Sequence, residues 1–422
     1  MQTRVEWNRH RKSVLNGILI LLGAVAATWL SYQFWRLVLS ELPGLGAIDL
    51  RMRWNEVSAW FAGTNIYAEG DDAVYPPATY LMLWPLLGSP DLTAVRWCFC
   101  IFTLLVLWRL VVHVMRASGA TSRMGRWLLA LVMLAAYPVG ATVGNGQTGL
   151  IVVLCLLAGL PLVAERNRSL GRDAWLTALF LVALVKPTMS AFFFWIVLFA
   201  AGNLRPSLLV CGGYALLTAV ASLFQSVGPI DLVRAWVARG LAGSIHGARR
   251  GEGSIRPAEL SGDNSLHITS VNLHSVLSYL RHVDLILPAT LLVLGLLGLW
   301  VWFHRKCPIW ILIGVTALVV RFGMYHGWYD DVVLLLPLIT LFRIFKGEET
   351  AGPRLRWVAG SLFAMMSASL LAPGGVYTLP FPWNNVYVLL QTVIWLGVLL
   401  FLGFLACRSR AGDRRINGLP LT

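Results

Sequence analysis

The sequence predicts an all-α polytopic membrane protein of about twelve transmembrane helices (between about ten and thirteen), and three observations carry that expectation. Hydrophobic residues make up 57% of the 422 and charged ones 13%, with a mean hydropathy of +0.69. A water-soluble globule of that composition has too little interior to hide its apolar side chains. The apolar residues gather in runs long enough for a helix to cross roughly 30 Å of hydrocarbon. The basic residues behind the net charge of +14 sit at the ends of those runs, as loops facing an anionic leaflet do, and no nucleic-acid-binding pattern accompanies them.

In chain order, the strongest candidate spans lie near 14–37, 92–115, 126–143, 148–164, 207–227, 283–303 and 385–406. Weaker ones lie at 174–186, 188–202, 308–321, 332–346 and 357–372. The first follows the basic segment MQTRVEWNRHRK; it is too long for a secretory h-region, despite the A-x-A-like pair Ala24 and Ala26, and reads as an uncleaved span. The run 75–87 is short and interrupted by Pro76, Pro77 and Pro85, so it suits an interfacial or re-entrant helix. The break at Lys186-Pro187 requires two short helices across 174–202, although a single kinked helix can also be drawn.

Charge placement supports this division of the chain, read as one integral-membrane domain over 1–422. If 75–87 does not cross, Arg116, Arg123 and Arg126, then Arg166, Arg168 and Arg172, then His304, Arg305 and Lys306, then Arg354 and Arg356, and finally the tail from Arg408, all fall on the cytoplasmic side with both termini. If it crosses, every later loop inverts against that bias. The first extracytoplasmic loop is then 41–91, with interfacial helices, and a second long one is 228–282, whose length suits an ordered functional loop. The six cysteines form no CxxC or Cys/His spacing and point to neither disulfide nor zinc.

The segment 41–77 departs from the rest of the chain, with six acids (Glu41, Asp49, Glu56, Glu69, Asp71 and Asp72) against two bases, Arg51 and Arg53. Asp49 follows a Gly-containing turn and precedes a stretch suited to an amphipathic surface helix; an ionised aspartate there can accept a proton from an attacking hydroxyl, and helix capping is its other reading. Lys186 interrupts apolar sequence beside Pro187. It is placed either to hold a lipid-linked phosphate or to snorkel to the interface. Arg321, His326, Asp330 and Asp331 gather a cation, an imidazole and two carboxylates at one helix boundary, where Trp328 and Tyr329 also suit an aromatic belt. Asn145 and Gln147 sit in a Gly-rich turn that either approaches a ligand or is only tight. His267, Asn272 and His274 read as the polar face of a surface helix. Walker, GxGxxG, G-x-S-x-G and HExxH sequences are absent, so an activated donor is expected to arrive through the lipid. No cofactor is expected, while the tandem acids Asp71-Asp72 and Asp330-Asp331 leave a divalent metal open.

The pieces IDLRMRWNEVSAWFAGTNIY, VYPPATYLMLWPLL, GNGQTGL, LVKPT, DNSLHITSVN and YHGWYDDVVLLLPL, in that order over about 48–338, resemble the polyprenol-phosphate-sugar-dependent glycosyltransferases of family 87 in the GT-C superfamily, known also as DUF2029 membrane proteins. The resemblance implies a GT-C-type bundle in the cell (inner) membrane, with its active site on the extracytoplasmic side. It implies Asp49 as catalytic base, with Lys186, Arg321 and His326 facing the donor phosphate and Tyr75, Asn145, Gln147 and Asp330 facing substrate. The expected reaction moves a hexose, commonly mannose, from a polyprenyl-phosphate donor to a hydroxyl of a lipid or glycan acceptor by single-step inversion. Membrane lipids are the remaining expected partners, and nucleic acid is not one. Where some relatives carry paired histidines before the LLLP run, this chain has Trp328, Tyr329, Asp330 and Asp331. A transporter or flippase of lipid-linked sugar is the alternative; it calls for polar groups in mid-span and halves that repeat, and neither is evident here.

Overall fold

A computed structural model describes residues 2–42, 45–69, 73–165, 167–249, 255–256, 267–268, 270–324, 327–348, 352–372 and 379–416, of which 2–11, 241–249, 255–256, 267 and 410–416 are described by backbone alone. Helices dominate, and among the described residues β pairing is limited to a two-residue antiparallel contact of Ile255–Arg256 with His267–Ile268 and one isolated bridge. The chain is an all-α membrane protein: the helical segments Lys12–Val38, Leu92–Ala117, Val283–His304 and Trp383–Ser409 are long and apolar enough to cross a bilayer, and Gly149–Ala164, Pro187–Ala200 and Ile309–Gly323 are shorter apolar ones.

Four short helices set the positions of the chain's unusual polar residues: α1 (Ile48–Phe61), α2 (Pro77–Leu87), α3 (Tyr137–Asn145) and α4 (Pro187–Ser190). With about 1.5 Å of rise per residue, the 11 residues of α2 reach about half-way through a bilayer core. Its buried Tyr80, Leu83 and Leu87 pack it into the protein. The region 174–202 breaks at Lys186, because proline pushes the residue before it out of the helical region and serves well at a helix start. Lys186 adopts φ −131° and ψ 82°, and Pro187 opens α4.

The run 126–143, expected as one span, is two helices, Arg123–Leu134 and α3, with a break at Ala135-Ala136. Pro138 supplies the reason, since it has no N–H to return to the carbonyl four residues back. The chain is instead held by a bridge from Ala136 to Leu371 and by the Ala372 N–H donated to the Ala135 carbonyl at 2.9 Å.

The end of the first long helix is pinned from outside. A helix leaves its last carbonyls unpaired, and here buried Arg96 donates to the Leu37 and Ser40 carbonyls at 2.6 and 2.8 Å. Arg36 reaches from the same end to the Leu45 carbonyl at 2.8 Å and the Asn145 side chain at 3.0 Å. These bonds fix the turn that launches α1, where Ala47 takes left-handed φ 48° and donates its N–H to the Gly144 carbonyl at 3.1 Å. A non-glycine residue in that region costs about 1–2 kcal/mol, so the packing around fully buried Ala47 must hold it there. Opposite, Gly146 ends α3 at φ 70°, where a Cβ would come within 2.5 Å of the Leu50 Cβ.

Gly146→Ala combines left-handed strain with that clash, and we expect a loss of about 2 kcal/mol or more, seen as a lower thermal midpoint of the detergent-solubilised protein. An unchanged midpoint would show that the α1–α3 contact relaxes freely.

Candidate active site

Three turns meet where the unusual polar residues of the chain lie: the start of α1, the glycine turn after α3, and the break before α4. A fourth element, the 3-10 helix Asp330–Leu334, faces them. Lys186 is 5% exposed, and its ammonium donates to Asp330 Oδ1 at 2.5 Å and to Gln147 Oε1 at 3.0 Å, with the Tyr329 ring 5.2 Å away. The Gln147 amide also acts on the Asp49 carboxylate, favouring its charged form, and Asp49 lies within electrostatic reach of Lys186 and Asp330. Gln147, Lys186 and Asp330 thus form one hydrogen-bonded group, and Asp49 stands within its electrostatic reach, the four drawn from four separate stretches of sequence.

Asp49 lies in the first turn of α1, outside the spanning helices, and α1 has no side-chain cap bond; its cap position is Ala47. The half-buried Asp49 carboxyl is therefore not spent on capping. Burial pushes its pKa above the usual carboxylate range, while the Gln147 bond and the positive charges of Lys186 and Arg53 pull it back and the Asp330 charge pushes it up again. A carboxyl group more basic than a free one is the better acceptor for a proton from a hydroxyl.

Lys186 does not snorkel. A buried cation is tolerated only when paired and hydrogen-bonded, and Asp330 and Gln147 supply both conditions. Two of its three N–H groups are engaged by them.

The remaining predicted residues divide. Tyr75 lies within electrostatic reach of Lys186, with its ring 4.7 Å under the Arg53 guanidinium. Asn145 is buried and accepts from Arg36, which ties it to the end of the first long helix rather than directly to Lys186. Arg321, also buried, bonds Asp331, which accepts from Tyr137 as well; the same guanidinium reaches the Ser270 hydroxyl at 2.9 Å. The tandem acids thus turn to different cations, Asp330 to Lys186 and Asp331 to Arg321. His326, Asp71 and Asp72 lie outside the described residues. Asn272 caps the helix Leu273–Tyr279, and His274 meets the Thr290 hydroxyl at 2.8 Å.

A family model described as glycosyltransferase family 87 matches residues 73–324. The chain belongs to glycosyltransferase family 87. The match contains Tyr75, Asn145, Gln147, Lys186 and Arg321, whereas Asp49 and Asp330 flank it and join those residues only in the folded chain. Searches of curated proteins and of solved structures returned no match. Membership in family 87 makes the protein a membrane glycosyltransferase, with a sugar donor and an acceptor as its substrates.

Sequence reading missed three partners of this family 87 site. Arg53 and Glu56 follow Asp49 at helical spacing, a signal visible in the sequence; Tyr137 as a partner of Asp331, 194 residues away, left none.

Lys186→Met leaves Asp330 buried without its cation, and we expect a loss of about 3–5 kcal/mol in stability. The double variant Lys186→Met/Asp330→Leu removes both charges and should recover most of that loss in denaturant or thermal unfolding. Additive destabilisation in the double variant would mean that the two groups are not energetically coupled.

Proposed function

We propose that this membrane glycosyltransferase moves a hexose, with mannose the expected sugar, from a polyprenyl-phosphate donor to a hydroxyl of a lipid or glycan acceptor in one inverting displacement. The reading also takes the GT-C-type arrangement of about twelve spans, with the Asp49 face on the extracytoplasmic side and both termini cytoplasmic. What supports it most is that one carboxylate, Asp49, lies within electrostatic reach of one buried ammonium, Lys186, which Gln147 and Asp330 hold in place.

The chemistry follows from charge. The acceptor oxygen forms a bond to the anomeric carbon while the bond from that carbon to the phosphate oxygen breaks. The hydroxyl proton passes to Asp49, and the bonding electron pair leaves with the polyprenyl phosphate, whose negative charge grows by one. Lys186 acts where that charge develops, so it holds the leaving group more strongly in the transition state than in the ground state. A phosphate leaving group needs no acid, and so one base and one cation complete the step. Asp330 keeps the ammonium aimed while the donor is absent.

Asp49→Asn keeps shape and burial but removes the base; turnover should fall by about 10²- to 10⁴-fold with an unchanged thermal midpoint. In the wild type, kcat/KM should drop as pH falls through the Asp49 pKa, because protonation removes the base, and the drop should lie above the ordinary carboxylate value of about 3.9. Near-normal turnover in Asp49→Asn would take that residue out of the chemistry.

A further inference from the structure

Asp49, Arg53 and Glu56 stand four and three residues apart on α1, which places them along one face of the helix. Arg53 donates to Glu56 Oε2 at 2.5 Å, and the two side chains are 10% and 11% exposed. The Arg53 guanidinium lies over the Tyr75 ring at 4.7 Å. Behind the pair, Trp60 stacks on Tyr80 with ring centroids 4.9 Å apart, and the Tyr67 hydroxyl fixes the Tyr75 backbone by donating to its carbonyl at 2.7 Å. None of these groups takes part in the proton transfer or in holding the phosphate.

An ion pair that served only the stability of this short helix would do so on its exposed face. Burying both ends costs desolvation that the mutual attraction does not reliably offset. Here Tyr75 lies within reach of the Lys186 charge and under Arg53, and Asp49 feels the charges of both Lys186 and Arg53, so Tyr75 and Asp49 both stand within the fields of the two cations. Along α1, the Arg53 backbone is about 6 Å and that of Glu56 about 10 Å beyond Asp49, near enough for two long side chains to meet a sugar whose anomeric carbon sits at the base. A guanidinium fork beside a carboxylate presents fixed donors and acceptors with no net charge, a set matched to neighbouring hydroxyls.

We propose that Arg53 and Glu56, held as a pair over Tyr75, form the subsite that reads the ring hydroxyls of the transferred sugar. This rests on the proposed donor reading, in which the phosphate sits at Lys186. The pair selects among hexoses by hydrogen bonding, and a sugar with a hydroxyl misplaced forgoes one of those bonds.

The test compares binding of three probes to the purified full chain in nanodiscs: polyprenyl phosphate without sugar, its mannose form and its glucose form. The wild type should bind one sugar-loaded lipid more tightly than the bare lipid phosphate. Glu56→Gln should reduce that preference about tenfold or more, with unchanged affinity for the bare lipid phosphate. Should Glu56→Gln fail to fold, Glu56→Asp keeps the charge and draws the carboxylate back by one carbon, and it should change the mannose-to-glucose affinity ratio. An undiminished preference in folded Glu56→Gln, an unchanged ratio in Glu56→Asp, or equal wild-type affinity for all three probes would overturn the subsite while leaving the donor reading standing. A wild type that binds none of the three would overturn the donor reading itself, and the subsite with it.

Discussion

The buried pair of Lys186 with Asp330 is the constraint on which the rest of the site depends. An ammonium in apolar surroundings is stable only with a counter-charge and hydrogen-bond acceptors in place, so the chain must bring Asp330 from 144 residues away and Gln147 from 39. Bringing them together fixes the break before α4, the glycine turn after α3 and the 3-10 helix opposite. Gln147 and Lys186 then both bear on the Asp49 carboxylate. A requirement of electrostatics in a low-dielectric interior thereby places a carboxylate near a cation.

The neighbouring pair of Arg321 and Asp331 does a different job. With Tyr137 and Ser270 it ties the 3-10 helix to α3 and to the segment before Leu273–Tyr279. Adjacent acids in sequence thus serve two cations, Asp330 pairing with Lys186 and Asp331 with Arg321.

Much of the helical layout was legible because hydrophobic length and proline act locally. The runs at 14–37, 92–115, 283–303 and 385–406 became long helices, and Pro187 divided 174–202 where its geometry demands. The run at 126–143 misled because apolar composition continues through Ala135-Ala136, where Pro138 and the bridge to Leu371 interrupt the backbone bonding; a hydropathy pattern carries no trace of a partner 235 residues away. Within the site, charge in an apolar setting singled out Asp49 and Lys186, and the glycines around Gln147 marked a close approach. Which acid of the tandem meets which cation was not legible, since Asp330 and Asp331 differ only in the direction that a 3-10 turn gives them. Asn145 shows the same limit: its amide type suits a ligand, and only the fold assigns it to Arg36.

One base and one cation acting on opposite sides of a single sugar carbon is the central claim, and its stereochemical consequence is direct. The measurement is the anomeric configuration of the product, read by NMR, after transfer by the purified protein from a polyprenyl-phosphate hexose of defined anomer. Inversion is the predicted result. Retention of configuration would require a covalent or two-step route with a second nucleophile, and would contradict the account.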